Sequence, residues 1–303
     1  MDIFITPAQC PAEMREDSSE VVKYNFTDFP VYARVGYLSH YPGMRAASHW
    51  HNDVEFIVVL NGQMGYFING EEYLLQKGQG IFVNADQLHY GHDVDGADCE
   101  FLCFLLLPSL LGNSHRLLAS CIHPVLTNAG PGVLLDPSVP WQLSILDWLR
   151  NIFSLCCSQE DGFELGILGL FSSIWQQLYL HLSNMERSCS AQTLQQLQEL
   201  RHMVRYIQSH YAEKITLSQI AASGHVCRSS CCKTFRGLLH KTPFAFLMDY
   251  RLERSMELLC TTTFSVTEIA YMCGFSNTSY YIRMFSRAFS HTPARYRALR
   301  FPE

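Results

Sequence analysis

The feature that most constrains this 303-residue chain is a pattern that occurs twice in its C-terminal third. Thr216-Leu217-Ser218-Gln219-Ile220-Ala221 returns as Ser265-Val266-Thr267-Glu268-Ile269-Ala270, an offset of 49. Each copy opens on a hydroxyl residue with Gln or Glu three positions later, the reciprocal pairing that caps the start of a helix. Lys233-Thr234-Phe235 then returns as Arg283-Met284-Phe285, and Lys241-Thr242-Pro243 as His291-Thr292-Pro293, now at offset 50. The chain builds one supersecondary unit twice, with one residue inserted in a turn.

Each unit reads as a short helix, a turn (Ser223-Gly224-His225 or Cys273-Gly274-Phe275) and a longer helix. That is the helix-turn-helix layout, whose second helix can enter a major groove. In the first unit helical spacing places Cys231, Phe235 and Leu238 on a buried stripe and turns Ser229, Lys233 and Arg236 outward. In the second, Tyr281, Phe285 and Ala288 are expected inside, with Ser279, Arg283 and Arg287 outside. Pro243, at a first helical position after Thr242, starts a spacer helix of roughly 17 residues, on the order of 26 Å long. Successive major-groove segments lie about 34 Å apart, so such a spacer can hold two readers near adjacent sites.

Charge divides the chain in the same place. Residues 1 to 193 carry 8 Lys+Arg against 21 Asp+Glu, a net of -13, whereas residues 194 to 303 carry 14 against 7, a net of +7. A basic lobe beside an acidic one suits a polyanion partner for the second half, with ordinary surface variation as the alternative, and the helix-turn-helix pattern decides for double-stranded DNA. Between them Met185 to Thr193 reads MERSCSAQT, polar and aperiodic, and residues 186–194 are expected to be a linker.

The most apolar run, Phe101 to Leu111, has 11 residues and contains Pro108, whereas a membrane-spanning helix needs roughly 20. No membrane partner is expected. Met1 to Pro7 lacks the features of a secretory signal, so the expected location is cytoplasmic. The twelve cysteines are scattered with no CxxC pair, and they read as reduced, packed thiols. Hydrophobic residues at 48% and charged residues at 17% fit neither a disordered nor a fibrous chain.

The first half alternates short β-type runs with turns: Val31 to Val35, Glu55 to Leu60, Gly65 to Ile68, Tyr73 to Leu75, Ile81 to Val83 and Glu100 to Leu107. Asn61-Gly62, Asn69-Gly70 and Lys77-Gly78 are hairpin-type signals, and a small double-sheeted barrel follows. Helical spacing then marks Val139 to Cys157, with Trp141, Ile145, Trp148 and Leu149, and Phe163 to Leu182, with Leu165, Leu168, Phe171, Ile174, Trp175 and Leu178. The first 25 residues, with Asp2, Glu13, Glu16, Asp17 and Glu20, read as an acidic flexible arm.

One constellation in the barrel carries chemistry. His49, His51 and Glu55 are separated by even numbers, so an extended backbone projects them from one face. With Gly43 and Gly62 the spacing resembles the first motif of cupins. Aligning Gly78 with the second motif makes His89 a fourth member, although Asn84, Asp86 and Asp93 stand where that motif prefers Pro, Gly and Asn. Three His and one carboxylate suit Zn, Mn, Fe or Ni. His49, His51, Glu55 and His89 are therefore ligands of a divalent metal, or, with Trp50 between the two His, the lining of a small-molecule pocket, or buried groups in structural hydrogen bonds. The barrel aromatics Tyr37, Phe56, Tyr66, Phe67, Phe82 and Tyr90 are expected in the core.

The C-terminal segment GFSNTSYYIRMFSRAFSHTPARYR (Gly274 to Arg297), with its upstream copy and spacer, resembles the AraC/XylS family of bacterial transcription regulators over about residues 197 to 300. The resemblance implies base contacts two and six residues before each buried Phe: Lys233 and Ser229 in the first recognition helix, Arg283 and Ser279 in the second. Arg228, Arg236 and Arg287 join them as DNA-binding candidates. The family usually places Gly after each recognition helix; here stand His240 and Ser290. The resemblance further implies control by a small-molecule effector, commonly a sugar, an arm that folds over the pocket, a homodimer made through the two helices after the barrel, RNA polymerase as a further partner, and no required cofactor.

The expected fold is therefore α+β: an arm (1–25), a cupin-like β-barrel with two following helices (26–185), a linker (186–194) and an all-α DNA-binding domain of two helix-turn-helix units joined by a linker helix (195–303). The expected function is a non-enzymatic, effector-controlled transcription regulator. The alternative is a metal-dependent cupin enzyme fused to a DNA-binding domain.

Overall fold

The computed structural model describes residues 19–46, 48–112, 114–183, 191–289 and 291–300. Asp2, Glu13, Glu16, Asp17 and Ser290 lie outside them. The chain divides into two compact units that part after Ala191.

Among the described residues, eight strands build the first unit: β1 (Val31–Tyr37), β2 (Val54–Asn61), β3 (Gln63–Ile68), β4 (Glu71–Gln76), β5 (Gly80–Val83), β6 (His89–His92), β7 (Glu100–Leu106) and β8 (Gly132–Leu135). A five-stranded sheet has the order β1-β7-β2-β5-β8, and a three-stranded sheet the order β4-β3-β6. All the pairings are antiparallel. Of the three expected hairpin turns, only Asn69-Gly70 joins paired strands. Both residues are left-handed, φ 46 and 98, as a two-residue hairpin turn requires. Gly62 and Gly78 are corners where the chain changes sheets. At Gly62 (φ +81) a Cβ would stand 2.6 Å from the Asp98 carbonyl, so the corner excludes a side chain. Strands β6 (HYGH) and β8 (GVLL) add to the expected runs, since neither alternates apolar with polar side chains.

Alternation sorts the five-stranded sheet into two faces. Val31, Ala33, Val54, Phe56, Val58, Phe104 and Leu106 pack against the helices that follow the barrel. Ile57, Val59, Ile81, Val83 and Phe101 face the smaller sheet, where Met64, Tyr66 and Ile68 meet them. After short helical turns α1 (His115–Leu117) and α2 (His123–Asn128) come α3 (Pro140–Ser158) and α4 (Phe163–Leu182). The expected bounds of α3 and α4 agree within one residue. Their buried stripe is Ile145, Leu149, Ile152, Ile167, Phe171, Ile174 and Leu178. Leu165 departs from it, 75% exposed, because Ile167 rather than Leu165 takes the inward position of that first turn; Leu168 is half-buried. Among the barrel aromatics Tyr37 and Tyr90 are half-buried and the others buried.

The second unit is all helical: α5 (Ala191–Ser209), α6 (Leu217–Ser223), α7 (Arg228–Leu239), α8 (Pro243–Thr261), α9 (Val266–Met272), α10 (Thr278–Phe289) and α11 (Pro293–Arg300). Because α5 already begins at Ala191, residues 191–194 are helix rather than linker. Both capping boxes form as read: Gln219 closes on Thr216 and Glu268 on Ser265. Spacer α8 has 19 residues, with Thr242 as its cap. Two arginines lock the repeats in the same way. Arg251 donates to the carbonyls of Tyr211 and Glu213, both at 2.7 Å, and Arg297 to those of Leu259 and Phe264, at 3.2 and 2.6 Å.

Candidate effector site and nucleic-acid interface

His49, His51, Glu55 and His89 converge: one donor atom from each lies within 4.8 Å of all the others. Continuous alternation is not what brings them together. The chain bends at Asn52 and Asp53 before β2 begins at Val54. His49 and His89 instead exchange backbone hydrogen bonds, His49 N to His89 O at 3.2 Å and His89 N to His49 O at 3.0 Å. Asp86, where the second cupin motif prefers Gly, adopts the left-handed conformation itself, φ 62. Asn84 donates to the Leu126 and Gly130 carbonyls at 2.9 and 3.0 Å.

The hydrogen bonds fix two of the ring tautomers. His51 Nδ1 lies 3.0 Å from the Asp53 carbonyl and His89 Nδ1 2.7 Å from the Gln87 carbonyl. A carbonyl only accepts, so both Nδ1 atoms donate and both Nε2 atoms face the cluster. Glu55 Oε2 meets them at 3.3 Å (His51) and 2.6 Å (His89). An imidazole lone pair and a carboxylate lone pair repel at that separation, so the cluster requires a positive charge at its centre, either a ring proton or a cation. Burial by itself would raise Glu55, but the charge of His89 and the hydrogen bonds of His51 and His89 hold its carboxyl well below the usual range. Burial opposes a charge on His51, and the Glu55 contact outweighs it, raising His51. Burial and the neighbouring His89 push His49 down.

Three partners were not read from the sequence. Tyr66 donates to Glu55 Oε1 at 2.8 Å, Cys103 Sγ lies 3.7 Å from the same oxygen, and Glu20 Oε2 lies 3.2 Å from His49 Nε2. Glu20, placed in the flexible arm by composition, is tied down, its N–H donating to the Trp50 carbonyl at 2.9 Å. Even spacing from Glu55 signalled nothing about Cys103, which arrives from β7 through sheet register. Trp50 is buried, 5% exposed, and supplies no donor to the cluster. No other group of potential metal ligands occurs among the described residues, those around Cys227, Cys231 and Cys232 included.

In the helical unit Arg228, Ser229, Lys233 and Arg236 on α7 are exposed, as are Ser279, Arg283 and Arg287 on α10. Arg283 rests its guanidinium 5.5 Å from the Tyr280 ring centroid. The buried stripes are Cys231, Phe235 and Leu239, and Tyr281 and Phe285. Two expectations shift by one position: Leu239 rather than Leu238 is fully buried. Ala288 is exposed, and Phe289 packs on Phe285 in its place, centroids 4.6 Å apart. His240 closes α7 in the left-handed conformation usually given to Gly, φ 51 and ψ 22.

Comparison with known proteins gives the arrangement its family. Residues 220–299 match the family described as a helix-turn-helix domain, and residues 31–165 that described as an AraC-like ligand binding domain. The uncharacterised HTH-type transcriptional regulator YdeC of Bacillus subtilis (strain 168) is 32% identical over 252 residues, covering 83% of this chain and 86% of YdeC. The chain belongs to the AraC/XylS family of transcription regulators. Another member, the HTH-type transcriptional activator RhaS of Yersinia pestis (strain Pestoides F), is 25% identical over 248 residues, covering 81% of this chain and 86% of RhaS. Among solved structures, ToxT of Vibrio cholerae, crystallised with an unsaturated fatty acid, covers 91% of this chain and 97% of its own at 14% identity and TM-score 0.46. The family's two parts thus coincide with the two compact units: an AraC-like ligand-binding domain and a DNA-binding helix-turn-helix domain. No described helix is long and apolar enough to cross a membrane.

Proposed function

We propose that occupancy of the pocket around Glu55 sets how the two recognition helices engage DNA. The observation that carries this reading is the His49, His51, Glu55 and His89 cluster. Three imidazoles and a carboxylate are gathered at one point within a ligand-binding domain, where burying ionisable groups is costly unless something uses them. His49, Trp50, His51, Glu55 and His89 border the effector. Ser229, Lys233, Ser279 and Arg283 read bases, with Arg228, Arg236 and Arg287 on phosphates. Effector and DNA then change each other's affinity by one common factor. The protein acts in the cytoplasm as a homodimer, a second copy covering Leu165 and Leu180 of α4, which are 75% and 59% exposed. DNA-bound, it would recruit RNA polymerase.

The test uses full-length protein and duplexes it selects from a randomised pool. Lys233→Ala and Arg283→Ala should weaken binding to the selected duplex without changing the melting temperature. His89→Ala should keep DNA binding while removing its response to any compound that raises the melting temperature. Identical responses in wild type and His89→Ala would sink the reading. Leu165→Glu should convert a dimer to a monomer in light scattering.

A second reading of the same cluster is favoured by the two ring tautomers. A histidine that binds a metal through one nitrogen generally donates the other N–H to a carbonyl or carboxylate, as His51 and His89 do. Three imidazole nitrogens and one carboxylate fit a first-row divalent transition ion, which would supply the central positive charge. Cobalt(II) added to the purified protein should give visible ligand-field absorption, lost in His51→Ala. A featureless spectrum leaves a proton in that role.

A further inference from the structure

On β1 the residues alternate, and Tyr32 and Arg34 turn away from the face that Val31 and Ala33 present to the helices. Register fixes where they go. Arg34 stands opposite Cys103, which stands opposite Ile57, which stands opposite Ile81; the last three line the barrel interior. Tyr32 belongs to the next row, opposite Leu105 and through it Glu55. A guanidinium therefore lies on the inner face, in the compartment that holds the Glu55 cluster.

This cation has little to hold. Its Nη2 is 3.5 Å from the Tyr41 hydroxyl, at the limit of a hydrogen bond. Its Nε is buried with no partner, and the Tyr32 ring centroid is 5.8 Å from its central carbon. Among the described residues no carboxylate pairs with it. Glu55 is committed at both oxygens, to Tyr66 and Cys103 through Oε1 and to His51 and His89 through Oε2. Glu20 is committed to His49. Arg34 is half-buried, and its Nε is shut off from water with no hydrogen-bond partner, which costs free energy; the Nε–Nη2 edge is the planar fork that takes a carboxylate through two parallel bonds.

We propose that the effector is a small organic acid whose carboxylate docks on the Nε–Nη2 edge of Arg34, with the rest of the molecule reaching toward the imidazoles of the Glu55 cluster. One cation matches one carboxylate, whereas a phosphate dianion would leave a negative charge over beside Glu55. The inference rests on the sensor reading above and names its ligand class, an acid in place of a neutral sugar. It makes Arg34 the residue that determines specificity.

The experiment is a melting-temperature screen of the full-length protein against matched pairs differing in one carboxylate: glucuronate with glucose, benzoate with benzamide, and butyrate with butyramide, with inorganic phosphate as a further arm. At least one acid should stabilise the wild type while its neutral partner does not. Its affinity for Arg34→Gln should be weaker by roughly tenfold to a hundredfold, the scale of a lost charged hydrogen bond. Without ligand, Arg34→Met should melt no lower than wild type, since it removes an uncompensated charge. A marked fall in melting temperature of Arg34→Met would assign Arg34 to structure and overturn the proposal. So would no stabilisation by any acid, or stabilisation by phosphate alone. Should neutral partners stabilise wild type and Arg34→Gln alike, the sensor reading stands and the acid falls. Should no compound alter either melting or DNA binding, the sensor reading falls as well.

Discussion

The two helix-turn-helix units are copies of one pattern, yet they are held together differently. In the second, Phe285 meets three rings, Tyr281, Phe289 and Tyr296, at 5.7, 4.6 and 5.6 Å. In the first, Phe235 meets one, Phe246, at 5.9 Å, because Cys231 and Leu239 stand where the second has Tyr281 and Phe289. The turns differ too. Gly274 takes the left-handed position in the second unit, φ 79, whereas His225 takes it in the first, φ 55, and His240 repeats it at the end of α7, φ 51. Asn277 caps α10, its side chain accepting from Tyr280 N at 2.9 Å, while α7 starts on Cys227, whose thiol lies against the Ser229 and Ser230 hydroxyls. One repeated pattern thus coexists with unequal local packing: α10 is packed and capped, whereas left-handed non-glycine residues stand in the turn before α7 and at its C-cap.

The largest test of that contrast is core truncation. Phe285→Ala should cost about 3–5 kcal/mol, and more than Phe235→Ala by about 1 kcal/mol or more, since aromatic pairs add about 0.5–1.5 kcal/mol each beyond burial. Equal losses in denaturant titrations would remove the distinction. Next comes DNA reading. Arg283→Ala should cost about 1–3 kcal/mol on the selected duplex and relax discrimination at one base pair, while Lys233→Ala, which removes a point contact rather than a bidentate one, should cost less and relax discrimination less. Reversed behaviour would make α7 the specific reader.

Turn chemistry gives a smaller effect of opposite sign in the two units. Gly274→Ala should destabilise by about 1–3 kcal/mol, for its Cβ would stand 2.7 Å from the Tyr211 carbonyl. His225→Gly and His240→Gly should each stabilise by about 0.5–1 kcal/mol, trading left-handed strain against chain entropy. Chemical melts of the three variants decide it. The smallest effect concerns Cys227. Hydrogen bonds from the Ser229 and Ser230 hydroxyls, with sulfur-to-oxygen distances of 3.0 and 3.2 Å, pull its thiol down to about 6. Its alkylation rate should rise with pH through a midpoint of about 6, and Ser229→Ala should move the midpoint upward. Reaction is faster on the high-pH side because the thiolate is the nucleophile. No counterpart exists at Asn277.

The helical half was largely legible because its signals are local. Capping boxes, the Pro243 start and the 3.6-residue stripes involve neighbours within two turns, and they place α6, α8 and α9 as found. Errors of one position, Leu238 for Leu239 and Ala288 for Phe289, arose where two apolar or small residues compete for one inward site. The barrel was legible in its longer strands and illegible at its corners. Gly62 and Gly78 look like hairpin turns because a corner between sheets needs the same left-handed glycine.

Resemblance to the cupin motifs brought in His89; composition and spacing alone determined the repeated helix-turn-helix unit, its outward cations and the shared even spacing of His49, His51 and Glu55. These follow from periodicity, which is a property of the chain itself. Only tertiary structure decided that the group closes through a His49–His89 bridge, that Tyr66, Cys103 and Glu20 join it, and that Arg34 faces the same interior. Those partners are 11 to 69 residues apart in sequence, and strand register, not local propensity, brings them within reach.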